Sequence, residues 1–342
     1  MNLATLRKLI LEKNLLALLR LGTQANHVYR CAFAAAAGSS GLLNLLSRQP
    51  SKLDEIVRHL QLGNGQQAAV QAWLDCGVKA GELALKDSRY RLKGRLSRLL
   101  APSGNAVLGS LFEEVTRYHY EAILQAPQRL RDARRYTLAD QDGELIARSS
   151  RILEPLVEEA IDWAISGMPG RAQDACVLEI GCGAGHYLCY MRERHPGLRL
   201  LAMDFQAEVA DAARRNLAAS GLGGAVRIEH ADILRFDSAE RFDLITLHNN
   251  IYYFSGERRD ALLRKVRALL KPAGRLLLTT SCQGGSAAVA ALHLWWALSD
   301  QDSGLPRRED LRQQLQDHGF ARVDDKRMLP GESYFAFLAT TG

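Results

Sequence analysis

The stretch VLEIGCGAGHYL, residues 177–188, decides how the rest of the chain is read. Its first four positions have the length and apolar content of a buried strand. Glycines at alternate positions, Gly181, Gly183 and Gly185, then impose a turn, and HYL opens a helix. Glycine is wanted there because the backbone must turn sharply and leave room for a ligand to lie against it. Glu179 stands inside the strand, two residues before the first glycine. A glycine fingerprint alone is weak, since dinucleotide sites use a related pattern. The spacing of what surrounds it makes it stronger.

Beyond this stretch, short apolar runs at 198–203, 226–229, 244–247 and 276–279 alternate with segments that read as helices or turns. Alternation of this kind implies a parallel sheet with helices on both faces. Residues 320–324 and 333–339 read as two more strands, with Pro330-Gly331 in a connection short enough for an antiparallel hairpin. The expectation is an α/β, Rossmann-like, doubly wound sheet with a reversed last strand. The second strand ends in Asp204, where a carboxylate can accept both hydroxyls of a ribose. After the third come Asp232 and Ile233, an acid that can accept from an adenine amino group and an aliphatic side chain that can pack on the ring. The fourth ends in LHNNIYYF, polar and aromatic at the edge where open α/β sheets bind ligands. Then LLKPAGRLLLTT reads as helix, Pro-Ala-Gly turn and strand.

Together these elements resemble the class I S-adenosylmethionine (SAM)-dependent methyltransferase family, over roughly residues 150 to 342. The resemblance implies SAM as cofactor. It implies that Glu179 orients the glycine loop and the cofactor amino group, that Gly181, Gly183 and Gly185 line the methionine moiety, that Asp204 holds the ribose, and that Asp232 with Ile233 holds the adenine. Phe205, directly after the ribose acid, is placed to pack on the other face of the adenine.

The first half is different. Helical periodicity dominates from Leu3 to about Lys79. Ser51 before LDEIVRHLQL reads as an N-cap, and QQAAVQAWLDCGVKAGEL follows a Gly-Asn-Gly turn. Residues 83–92, turning at Lys86-Asp87-Ser88-Arg89, complete a helix-turn-helix with a wing. This half is similar to the winged-helix dimerisation domain that precedes the catalytic domain in many small-molecule O-methyltransferases of natural-product pathways, which implies a homodimer. The domains expected are 1–150, a mainly helical winged-helix dimerisation and substrate-lid domain, and 151–342, the SAM-binding catalytic domain. A DNA reader needs cations on its second helix. Here that helix carries Gln66, Gln67 and Gln71 and no Lys or Arg before Lys79, so dimerisation is favoured over nucleic-acid binding.

Methyl transfer from a sulfonium is an in-line displacement, so holding the nucleophile in position matters most and a base is optional. In the O-methyltransferases the chain resembles, a histidine serves as base a few residues beyond the fourth strand. Tyr252 or Tyr253 stands at the matching position here, and His248 falls earlier, at the strand end nearest the cofactor. His248 is the best candidate for a base, with Tyr252 beside it as the second catalytic candidate and His248 also a cofactor neighbour. Asn249, Asn250, Tyr252 and Tyr253 are expected on the substrate side. So are His119, within Tyr118-His119-Tyr120, and Arg148, which could reach the cofactor carboxylate. His293 with Trp295-Trp296 forms a further cluster, read as core more than pocket. Tyrosine faces can stabilise a methyl cation or sulfonium. The function expected is SAM-dependent methylation of a small aromatic or heterocyclic acceptor at O, N or C. A non-methylating SAM enzyme on the same fold (cyclisation or decarboxylation) and a SAM-responsive DNA-binding regulator stay open as alternatives. Nucleic-acid methylation is disfavoured, because HNNIYY replaces an acceptor tetrapeptide of the Asn-Pro-Pro-Tyr kind.

Composition agrees with a globular chain of two domains. At 342 residues the chain exceeds the roughly 250 to 300 at which single cores stop growing, and 47% hydrophobic residues supply cores for two domains. Residues 1–150 hold 21 Lys and Arg against 13 Asp and Glu, a basic half read as solvated helix faces. Six cysteines (Cys31, Cys76, Cys176, Cys182, Cys189, Cys282) include no CxxC pair, which points to reduced thiols in the cytoplasm and away from a metal site. No apolar run reaches the ~18 residues of a membrane span. The leading segment, 1–21, is leucine-rich but interrupted by Arg7, Lys8, Glu12, Lys13 and Arg20, and reads as one amphipathic helix.

Overall fold

The computed structural model describes residues 2–11, 14–168, 174–301 and 304–342. The chain divides into two compact units, Met1–Arg117 and Tyr118–Gly342.

In the first unit, the helices Leu53–His59 and Gln67–Lys79 are followed by a hairpin of β1 (Leu83–Lys86) and β2 (Arg89–Leu92). Asp87 and Ser88 make its turn at φ 51° and 57°, the left-handed pair that a two-residue hairpin requires. Ser51 does not cap the helix after it. It exchanges backbone bonds with Tyr90 of β2 (3.0 and 2.8 Å) as an isolated bridge at the edge of the wing. The start of the helix therefore moves to Lys52, whose amide donates to Glu55 Oε2 at 2.8 Å. Phe33, Leu42, Leu43, Ile56, Leu74 and Leu83 fill the core. The leading segment is two helices rather than one, Leu3–Leu11 and Leu15–Ser39, and its Glu12 and Lys13 lie outside the described residues. Asn14 starts the second: it sits at φ 48° and its side-chain oxygen accepts from Ala17 N at 3.3 Å. Nothing on Leu3–Leu11 is buried, and Leu15–Ser39 buries only Phe33, Ala34 and Ala37, near its end.

In the second unit, the described residues form seven strands in one sheet: β3 (Cys176–Ile180), β4 (Arg199–Asp204), β5 (Val226–His230), β6 (Phe242–His248), β7 (Leu270–Ser281), β8 (Phe320–Arg327) and β9 (Tyr334–Thr341). Their spatial order is β5-β4-β3-β6-β7-β9-β8. All neighbours are parallel except β9, which runs antiparallel to both β7 and β8. The reversed strand is last in the chain, as read, yet lies inside the sheet. The Pro-Ala-Gly turn became an irregularity within β7, between Leu270, paired with Phe242, and Arg275, paired with Leu244.

Side chains alternate across each strand and so build two cores. Ile245, Leu278 and Phe337 face Leu262, Leu263, Leu311 and Leu315 of the helices Gly256–Leu269 and Arg308–Asp317. Val177, Leu244, Leu277 and Leu338 face Val157, Ile161, Leu188 and Ala213 of the helices Glu154–Ser166, His186–Arg194 and Ala207–Ala219. β3 pairs with β4 on one side and β6 on the other, so the strand order reverses there and opens a crevice at the carboxyl ends.

Residues 118–150, read with the first domain, belong to the unit that holds the sheet. Tyr136 N donates to Leu298 O (2.9 Å), Asp300 N donates to Tyr136 O (2.7 Å), and the Tyr136 ring stacks on Trp295 at 5.2 Å. Amphipathic periodicity shows which face of a helix is buried but not what covers it. No helix among the described residues is long and apolar enough to cross a membrane.

Candidate functional site

The glycine loop takes the conformation its sequence demands. Gly181, Gly183 and Gly185 lie at φ 71°, 54° and 81°, all left-handed. The amides of Gly181 and Cys182 donate to Met203 O at 2.9 and 3.0 Å, which fastens the loop to the end of β4. Gly183 N donates to Asp204 Oδ2 at 3.1 Å and Gln206 N to Oδ1 at 3.0 Å. Asp204 is thus held rigidly at the end of β4, and an ionised carboxylate has about four lone-pair sites, so capacity remains for ribose hydroxyls. Desolvation raises its pKa although these backbone bonds oppose the shift.

Glu179 is the most unusual group in this corner. It is 1% exposed, and its Oε2 has no hydrogen-bond partner among the described residues. Burial, with Asp204 adding repulsion, raises its pKa to about 8. A buried acid with an open oxygen beneath a glycine loop suits a cationic amino group, which would restore its charge. The residues present therefore fit SAM.

At the next strand end, Asp232 Oδ1 accepts from Leu234 N at 3.0 Å. Ile233 is 4% exposed and packs in the core with Leu178 and Leu201, leaving little of its side chain for a ring. Phe205 is 66% exposed, the open aromatic face of this corner.

The end of β6 and the segment after it differ from their sequence reading in two respects. Asn250, expected toward the acceptor, donates from Nδ2 to Ile180 O at 2.6 Å, tying β6 to the last residue of β3 under the loop. A Cβ at position 181 would collide with that same amide. His248 is 6% exposed, with Nδ1 2.9 Å from Thr279 Oγ1 and its ring edge-on to Tyr187 at 4.9 Å. Burial lowers its pKa to about 3, so it is neutral at pH 7 and weakly basic. Tyr187 and Tyr334 also have their pKa values raised by burial, and Tyr334 stands against Thr279 and Asn249. Asn249 itself is left-handed at φ 55°, its amide bonded to Thr279 O at 2.8 Å. Tyr187, Thr279 and Tyr334 were missed in the sequence. Only the position of Thr279 at a strand end could have signalled them, because the other two come from a helix and from the reversed strand.

Tyr252 and Tyr253 lie in a turn, Ile251–Tyr253, with ring centroids 5.1 and 4.5 Å from Trp296. Trp295 and Trp296 are buried core, and His293 Nδ1 accepts from Leu305 N at 3.0 Å, a loop staple. His119 is buried, which lowers its pKa to about 4. Arg148 is exposed and pairs with Glu144 at 3.3 Å one helical turn away.

The family model described as a methyltransferase domain matches residues 177–274, the segment from the glycine loop to the turn before the main part of β7. A tRNA1(Val) (adenine(37)-N6)-methyltransferase of Vibrio vulnificus is 30% identical over 115 residues, 29% of this chain and 48% of that protein. Demethylspheroidene O-methyltransferase of Rhodobacter capsulatus is 26% identical over 196 residues, 56% of this chain and 46% of that protein. The chain thus spans about half the length of the curated relatives it matches. Among solved structures, mitomycin 7-O-methyltransferase MmcR superposes with a TM-score of 0.75 at 16% identity, over 96% of this chain and 99% of that one. Human N-acetylserotonin methyltransferase, solved with SAM, gives 0.72 at 18% identity, over 95% and 98%. With the strand order and the glycine loop, these matches show that the chain carries a methyltransferase domain and has the fold of the O-methyltransferase structures.

Proposed function

We propose that this protein transfers the methyl group of SAM to a small aromatic or heterocyclic acceptor at oxygen, nitrogen or carbon. The observation that carries the reading is the open, buried carboxyl of Glu179 beneath three left-handed glycines, with Asp204 fixed at the neighbouring strand end. SAM, when bound, supplies a methyl group on a positively charged sulfur. In this reading Glu179 faces the amino group, Gly181, Gly183 and Gly185 give the methionine portion room, Asp204 accepts from the ribose, and Asp232 with Phe205 borders the adenine. Tyr252 and Tyr253 border the acceptor. The partly buried rings of Tyr252 and Tyr253, backed by the buried Trp296, favour a flat apolar acceptor. The names of MmcR and N-acetylserotonin methyltransferase point the same way.

With His248 at a pKa of about 3 and Tyr334 pushed up to about 12, neither is a competent base near pH 7. The rate would come from positioning, with an acceptor that is already nucleophilic or easily ionised. Calorimetric titration with SAM and its demethylated product tests the cofactor site: saturable binding is expected, about 100-fold or more weaker in Asp204→Ala, because two hydrogen bonds to a charged acceptor are lost. No heat with either ligand would end the reading. Mass spectrometry of acceptor mixtures then separates methylation from other SAM chemistry.

The protein is also proposed to be a homodimer. Leu3, Leu11, Leu16, Leu19 and Leu21 are exposed on the first two helices, an apolar surface that a second copy would cover. Light scattering is expected to give twice the chain mass, and a monomer would remove this part of the proposal. Helix Gln67–Lys79, whose one cation is its last residue, gives no support to DNA reading.

A further inference from the structure

The carboxyl end of the sheet has a second concavity, away from the glycine loop. It is a depression of about 330 Å3 whose lining includes Gln283, Arg307, Arg308, Arg327, Ser333 and Phe335. Four chain segments meet there. Gln283 follows β7, Arg327 ends β8, Ser333 precedes β9, and Arg307 precedes the helix Arg308–Asp317. In the strand order β6 and β7 separate this place from β3 and its loop.

The charges do not cancel. Arg308 is neutralised by the buried Asp325, with Nε to Oδ2 at 2.7 Å, and Arg312 reaches the same carboxylate at 3.4 Å. Glu309, which also lines the depression, is 3.8 Å from Arg308 with a largely exposed side chain. Among the described residues Arg307 donates only to Gln283 Oε1 (3.4 Å) and Arg327 only to the backbone oxygen of Glu332 (3.0 Å). Neither has an ion pair among the described residues. The Glu332 carboxylate is engaged by Ser286 N at 3.1 Å. Arg308 and Arg327 lie over the Phe335 ring, 5.3 and 5.0 Å from its centroid, which holds both guanidinia in place. Ser333 is 6% exposed and lines the depression, held there by its backbone oxygen, which accepts from Cys282 N at 2.7 Å.

Two guanidinia without an ion pair among the described residues and a serine hydroxyl at the wall of one concavity make an anion site. Its free donors come from three segments, the end of β8, the turn before β9 and the start of Arg308–Asp317, and hence from several directions. A planar carboxylate is satisfied by a fork in its own plane, whereas a tetrahedral oxyanion accepts from all sides. The first-turn amides of Arg308–Asp317, which no side chain caps, add donors of the same sign. We propose that this depression binds the phosphate group of a phosphate monoester or of free phosphate, with Arg307, Arg327 and Ser333 as its principal donors.

The test uses the full chain, titrated at matched ionic strength with inorganic phosphate, phenyl phosphate, acetate and chloride, and followed by calorimetry. Saturable binding is expected for the first two and not for the last two. Arg307→Gln and Arg327→Gln, both exposed in the fold, should each weaken phosphate about tenfold or more. Tighter binding of phenyl phosphate than of inorganic phosphate identifies an ester as the ligand, and the reverse order identifies the free ion. Phosphate that does not saturate, or saturates equally in R307Q/R327Q, overturns the site. SAM binding is measured on the same variants and should not change, so failure here is distinguishable from failure of the methyl-transfer reading.

Discussion

Gly181→Ala is expected to lower the melting temperature on the order of 10 °C and to remove detectable SAM binding. Two separate effects produce this. Position 181 lies at φ 71°, where a Cβ costs about 1–2 kcal/mol. That Cβ would also displace the Asn250 amide from Ile180 O, and a buried carbonyl left without its donor costs about 1–3 kcal/mol more. Each kcal/mol shifts a unit of this size by roughly 2–4 °C. Gly183→Ala separates the two terms. It has the same left-handed backbone and nothing within 4 Å of a Cβ, so it should lose only the conformational part. If Gly181→Ala melts no lower than Gly183→Ala, the tie from Asn250 to β3 carries no energy and the loop is held by other means.

Glu179→Gln should change the pH dependence of stability and the protonic signature of cofactor binding together. With a folded pKa of about 8 against the ordinary 4.5, the native state keeps a proton between those values that the unfolded chain has lost. Stability therefore falls as pH rises through this window, by up to about 1.4 kcal/mol per pH unit, and this group adds nothing further above pH 8. Glutamine cannot ionise, so the variant should lose that slope and melt higher than wild type at pH 8. A cation placed against Glu179 would expel the proton. SAM titrated into wild type at pH 7 should then release about one proton, read from buffers of different ionisation enthalpy, and none in Glu179→Gln. Equal heats across buffers for wild type would refute the pairing of Glu179 with the cofactor amine.

The parts of this architecture that were legible in the sequence are those set by local rules. Strand periodicity, three glycines at alternate positions and acids at successive strand ends each need only a few neighbouring residues. They located the sheet, its reversed strand and the glycine loop with the acids at the neighbouring strand ends. What could not be read depends on partners distant in the chain. Residues 118–150 pack on the helix Ala287–Ala297, and an amphipathic pattern does not name the surface that covers it. His248 was a reasonable base by position. Its basicity is removed by burial beside Tyr187 and Thr279, which come from two other elements. Asn250 was assigned to the acceptor because it is polar and near the right edge. The rotamer that turns it back to β3 has no sequence signature. Arg307 and Arg327 are ordinary surface arginines until β8 and the loop before Arg308–Asp317 bring them to one concavity.

The position of β9 between β7 and β8 has a consequence for how the polypeptide is assembled. β8 and β9 are neighbours in the chain as well as in the sheet, so they can pair first as an antiparallel hairpin. β7 meanwhile waits with one bare flank. The sheet is completed when the β9 edge of that hairpin docks on β7, a pairing of higher sequence separation than the hairpin itself and therefore slower. Until it occurs, both edges can template pairing with another nascent chain. Yield of active protein should therefore depend on temperature and chaperone supply during expression more than on the stability of the finished fold.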